Sequence, residues 1–112
     1  MKGLGNLGNM GNMAKMMKQA QEMQAKMMQA QEELATKEVE ATAGGGAVTI
    51  RMTGKQDVVS VKIRPDAVDP NDVEMLEDLM VAAYREAKKK AEDLEREELS
   101  KATGGMNIPG MF

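Results

Sequence analysis

One feature constrains this sequence more than any other: a run from Met13 to Thr36 that contains neither glycine nor proline. It is rich in Met, Gln, Ala, Lys and Glu, all good helix formers, and predicts a helix roughly 36 Å long. At 100° per residue, Met13, Met17, Ala20, Met23, Met27 and Leu34 fall within an arc of about 120°. Lys15, Lys18 and Lys26 fall within about 80° of one another on the opposite side. A helix this long outruns what a chain of 112 residues needs to cover its own core, so part of it is expected to project or to pair with another chain. An apolar stripe seeks burial, so Met13, Met17, Met23, Met27 and Leu34 are expected to form a seam between two copies. Asn12 is placed to cap the helix. Ahead of it, residues 1–12 form a Gly/Asn-rich repeat that reads as a flexible arm.

The period then changes. Val39, Ala41 and Ala43 alternate with polar residues, as do Val48, Ile50 and Met52 after Gly44-Gly45-Gly46. Gly54-Lys55-Gln56-Asp57 reads as a hairpin loop, and Val59, Val61 and Ile63 alternate up to Pro65. Three short runs of period two make an antiparallel meander with one apolar face. Asp69-Pro70-Asn71-Asp72 then predicts a helix start, with Asp69 as N-cap and Pro70 in the first helical position. Val73, Leu76, Met80, Ala83, Ala87, Ala91 and Leu94 follow a three- and four-residue spacing down to about Thr103, where Gly104-Gly105 stops the helix. The expected fold is α+β: a long N-terminal helix, a three-stranded antiparallel meander and a long C-terminal helix. Residues 13–103 form its single domain, and residues 104–112 an irregular apolar tail.

The composition narrows the chemistry. Cysteine and histidine are both absent, which removes disulfides, thiol nucleophiles, the commonest general base and the commonest metal ligand. Gly44-Gly45-Gly46 lacks the Lys-Ser/Thr of a phosphate-binding loop and precedes a strand rather than a helix. The acids Glu92, Asp93, Glu95, Glu97 and Glu98 follow helix-surface patterns, and Asp66, Asp69 and Asp72 suit turns and caps better than metal ligation. No arrangement pairs two carboxylates in an apolar pocket. The expectation is a protein without catalysis, cofactor, metal or small-molecule substrate. No run is apolar enough for a membrane span or a signal-peptide core, so a cytoplasmic location is expected.

Charge supplies the remaining clue. The net charge is −3, yet residues 1–31 carry Lys2, Lys15, Lys18 and Lys26 against Glu22 alone. Lys15, Lys18 and Lys26, interleaved with Gln19, Gln21 and Gln29, offer cations and amide donors to phosphate oxygens, although the ordinary fate of helix lysines is solvent. Arg85, Lys88 and Lys89 project away from the apolar seam of the last helix. There, Glu86–Lys90, Lys88–Glu92 and Lys89–Asp93 have the spacing of helical ion pairs.

Several segments, taken in order, go further. Met17-Lys18-Gln19-Ala20-Gln21-Glu22-Met23-Gln24-Ala25-Lys26-Met27 with Gln31-Glu32-Glu33-Leu34 resembles the first helix of the YbaB/EbfC nucleoid-associated proteins. So do Gly44-Gly45-Gly46-Ala47-Val48, Val61-Lys62-Ile63-Arg64-Pro65, Glu74-Met75-Leu76-Glu77-Asp78-Leu79 and the closing Pro109-Gly110-Met111-Phe112. The resemblance implies a cytoplasmic, nucleoid-bound homodimer, shaped like tweezers, in which paired long helices project from a joined β-sheet body and bind double-stranded DNA. Carried over by position, Lys18 and Lys26 match basic places of the first helix, and Lys88 and Lys89 a basic pair of the last. Lys15 and Arg85 join them from helix geometry alone. The rival reading is a protein–protein interaction module that grips a partner in a Met-lined groove.

Overall fold

The computed structural model describes residues 2–104, with side chains from residue 11 onward. Helix α1 (Lys2–Thr36) leads into strands β1 (Glu38–Ala43), β2 (Val48–Thr53) and β3 (Val58–Ile63). A single 3-10 turn (Pro65–Ala67) follows, and then helix α2 (Val73–Ala102). The strands form one antiparallel sheet in the order β1-β2-β3. This is the α+β order expected from the sequence.

Two boundaries differ from expectation. α1 begins at Lys2, so the Gly/Asn-rich stretch read as a flexible arm continues the helix, and Asn12 lies inside it rather than at its cap. The cost of nucleation is met by the strong helix formers after Met13. Each residue added upstream then gains a backbone hydrogen bond, which offsets a glycine penalty of about 1 kcal/mol. α2 starts at Val73, capped by Asp72, whose carboxylate accepts from Met75 N at 3.2 Å. Asp69 is not the cap. Its side chain accepts from Asn71 N at 2.9 Å and its carbonyl from Asp72 N at 2.9 Å, which closes a turn through Pro70. The fixed φ of proline serves a turn's second position as well as a helix's first, and here the turn wins. At the far end Gly104 adopts φ +68° and donates to Lys101 O, the left-handed stop that glycine favours. The rest of the expected tail lies outside the described residues.

The core sits between the sheet and α2. Ala41, Val48, Ile50 and Met52 are buried against Ala83, Ala87 and Ala91, with Leu76, Leu79 and Met80 packed alongside. Alanines spaced four apart form a shallow stripe that lets the helix axis approach the sheet closely. Val73, expected in this seam, is exposed because it stands at the first position of α2, beyond the sheet. α2 lies across β1 and β2. Val58, Val61 and Ile63 of β3 share the α2-facing side with Met52, Ile50 and Val48, their register partners, but remain substantially exposed. A helix is about 10 Å across and strands are about 4.8 Å apart, so one helix covers two strands and leaves the third bare.

Candidate nucleic-acid interface

Among the described residues α1 is held along its C-terminal half. Ala30 and Leu34 are buried, Met23 and Met27 are half-buried, and every side chain from Gly11 to Glu22 is exposed. The root is tight. A Cβ added to Gly54, in the β2–β3 turn, would lie 2.7 Å from Leu34 Cδ2 and 2.9 Å from Leu34 O, so only glycine lets α1 seat there. From there α1 runs beside the end of α2 as far as Gln19, and among the described residues the side chains from Gly11 to Glu22 are exposed, in a molecule that extends 86 × 22 × 15 Å.

Lys15, Lys18 and Lys26 are all exposed on α1. Among the described residues none of the three enters an ion pair or a side-chain hydrogen bond, whereas Lys37, Arg51, Arg64, Arg96 and Lys101 are all paired. Lys15 and Lys18 stand on the exposed stretch of this rod-like helix. Lys26 lies lower, where α1 meets the end of α2, and lines a hollow of about 230 Å³ with Gln29, Glu33, Glu98 and Lys101.

Arg85, Lys88 and Lys89 of α2 are likewise exposed and, among the described residues, unpaired. The helical ion pairs expected around them are absent among the described residues. Lys90 Nζ instead donates to Glu40 O of β1 at 2.8 Å, and Asp93 takes Arg96 at 3.2 Å. Exposed pairs of this kind contribute only about 0.3–0.5 kcal/mol, so a neighbouring carbonyl or a different rotamer readily displaces them. The two basic groups are not brought together: the α1 root lies by Lys101, about 20 Å along the helix axis from Lys88.

The apolar surface is distributed differently from the expected seam. Met13 and Met17 are each 61% exposed, but Leu34 is fully covered by its own chain and has nothing left to offer a partner. A larger uncovered face, which helical and strand periodicity did not reveal, lies on β3 and the adjoining side of α2. A hollow of about 490 Å³ there is lined by Ile50, Val58, Val61, Met80, Val81 and Tyr84, with Arg85 and Lys88 at its rim. The available signal was the pair Val81 and Tyr84, apolar residues that fall off the Leu76–Met80–Ala83 line.

Sequence reasoning also missed Glu98, which it placed among the surface acids. Its carboxylate is buried and accepts from Lys37 Nζ at 2.6 Å, with Lys101 Nζ at 3.7 Å. The hydrogen bond from Lys37 holds the Glu98 carboxyl below the usual carboxylate range, and the same bond raises Lys37 above the usual lysine value. Among the described residues no cluster of acidic side chains is arranged to hold a metal ion, and no helix is long and apolar enough to cross a membrane.

A long exposed helix with unpaired lysines, rooted on a small sheet, therefore coexists with the ordered segments noted above, and the whole pattern has a counterpart. Residues 10–106 match the model of the YbaB/EbfC DNA-binding family. The chain belongs to that family. A nucleoid-associated protein of Alkaliphilus metalliredigens is 54% identical over 94 residues, which is 84% of this chain and 82% of the relative. One from Acetivibrio thermocellus is 55% identical over 95 residues, 84% of each chain. The crystal structure of HP0035 from Helicobacter pylori superposes with a TM-score of 0.69 at 20% identity, over 82% of this chain and 96% of that one, a likeness of fold. YbaB/EbfC membership thus explains the joint order of the matching segments and places the chain in a DNA-binding family.

Proposed function

We propose that this chain works as a nucleoid-associated protein in the cytoplasm, where two copies together bind double-stranded DNA. Contact is made chiefly to phosphates, by lysines on the projecting helices, and is largely insensitive to base sequence. The observation that carries this reading is the state of Lys15 and Lys18. They stand ahead of Gln19, the farthest point at which α1 meets the end of α2 among the described residues, and no carboxylate there neutralises them. Unpaired, solvated ammonium groups release counterions from DNA at little desolvation cost. Lys26, Lys89 and, at the rim of the open apolar face, Arg85 and Lys88 extend the basic surface. The overall charge of −3 opposes long-range attraction, so binding depends on local presentation of these groups.

A second copy is the occupant proposed for the bare β3 face. β3 is an edge strand with an unpaired outer rim and three uncovered apolar side chains on its α2-facing side. Such an edge is commonly closed by another strand or chain. Joining two copies there would leave both α1 rods free, while Met13 and Met17 remain available where the rods approach each other. No cofactor, metal or small-molecule substrate has a role in this scheme.

A salt titration of binding to two unrelated duplexes tests it. The Lys18→Glu, Lys26→Glu variant should bind both duplexes more weakly, with a flatter dependence on salt. Unchanged binding by that variant would remove α1 from the interface. Absence of duplex binding at low salt, together with stable co-purification of one protein along the exposed Met13 and Met17 face, would favour the interaction module instead.

A further inference from the structure

Lys37 is the single residue between α1 and β1, and it is tied to three elements at once. Its amide donates to Glu33 O at 2.8 Å within α1, and its carbonyl accepts from Gly54 N at 3.0 Å in the β2–β3 turn. Its ammonium group donates to Glu98 of α2, a residue 61 positions away. Glu98 is also the buried carboxylate among the described residues, shielded by the last turns of α2 and the root of α1. The charged groups around it are Lys37, Lys101 and Glu33, with Lys26 lining the same hollow.

Burying a carboxylate is expensive, and swapping a buried pair for apolar side chains is often neutral or stabilising, so stability is a poor account of its presence. Direction is a better one. Among the described residues of α1 only Ala30 and Leu34 are fully buried, with Met23 and Met27 half-buried, and apolar contact is non-directional. A short, charge-assisted hydrogen bond fixes an angle. The lever is long: Lys15 stands about 33 Å up the helix from Lys37. A swing of about 15° at the root would move it by about 9 Å, more than twice the ~3.4 Å rise per nucleotide of a DNA strand.

We infer that the Glu98–Lys37 pair is a positioning device: it sets the angle at which α1 leaves the body, and so places Lys15 and Lys18 on the DNA backbone. The inference rests on the DNA-binding reading above. Neither residue touches DNA in this scheme; both act through the rod.

The absence of cysteine makes the test direct. Met13→Cys and Lys55→Cys carry spin labels on the rod and on the β2–β3 turn, in chains diluted with unlabelled protein so that distances are within one chain. The variant is Glu98→Met, which leaves Lys37 half-exposed and able to find water. The label-to-label distance, narrow in the parent, should broaden or move by more than about 5 Å. The Kd for duplex DNA should rise about five- to tenfold, the scale of a lost preorganisation. The salt slope should stay the same, because no phosphate-contacting charge has been removed. Glu98→Gln, whose amide oxygen can still accept from Lys37, should restore the narrow distance. Lys37→Met breaks the same pair from its exposed side and serves if Glu98→Met does not fold. An unchanged distance distribution overturns the inference, and so does a broadened one with unchanged Kd. Both differ from failure of the DNA reading itself, in which Lys15→Gln with Lys18→Gln leaves the parent Kd unaltered.

Discussion

β2 and β3 are neighbours in the sheet with nearly interchangeable patterns. Val48, Ile50 and Met52 alternate with polar residues in one, and Val58, Val61 and Ile63 occupy the matching places in the other. The first set is buried and the second is 39–48% exposed. Alternation assigns Val61 and Ile63 to this face but names Val59 where a register shift at Arg51/Met52 brings Val58 opposite Met52; it does not say whether anything lies over that face. The same contrast divides α1, whose root is packed against Gly54 and the end of α2 while its side chains from Gly11 to Glu22 are exposed. A covered half therefore builds the fold, and the other half, among the described residues, stays open.

Equal damage to the covered and the open half should have different consequences. Ile50→Ala opens a cavity under α2 and should destabilise the chain by about 2–5 kcal/mol, read from the midpoint of urea unfolding. Val61→Asp on the open face should instead act on association. It places a charge where a second copy is proposed to sit, weakening assembly by about 2 kcal/mol or more. Light scattering over a concentration series would then show monomers that remain folded. If Val61→Asp unfolds the chain as severely as Ile50→Ala, β3 is not an open face at all.

Gly54→Ala tests the root of α1. The added Cβ meets Leu34 backbone atoms at 2.9 and 3.2 Å, so the helix must shift, at a cost of about 1–3 kcal/mol. Circular dichroism during thermal unfolding would measure it. A neutral result would mean that α1 is not seated on the β2–β3 turn.

Acid probes the same root more gently. The depressed carboxyl of Glu98 contributes stability that is in place above the ordinary carboxylate value of 4.5 and is lost as pH falls through its lower value in the folded chain. The stability difference between the parent and Glu98→Gln should therefore shrink as pH drops below that ordinary value. Raised Lys37 adds the converse loss, in alkali beyond 10.5. A difference that stays constant into acid would show that the carboxylate's charge contributes nothing.

The smallest expected effect concerns the basic residues of α2. Lys89→Gln should lower the salt slope of DNA binding by about one phosphate contact without altering assembly. Lys88→Gln, at the rim of the apolar hollow, should alter assembly more than the slope. Equal effects of the two would erase the distinction between rim and outer surface.

By itself the sequence determined the order and type of the elements, the hairpin at Gly54–Asp57, the stop at Gly104 and membership of the family. These are read from local spacing, because helix and strand periods are properties of consecutive residues. The tertiary structure alone decided that Leu34 is used up within its own chain, that Asp72 rather than Asp69 caps α2, and that Glu98 is buried. It also decided that Lys90 turns to a β1 carbonyl and that β3 is left bare. Each of those outcomes depends on where an element distant in sequence comes to lie and how wide it is. A period of two or of 3.6 residues carries no information about either.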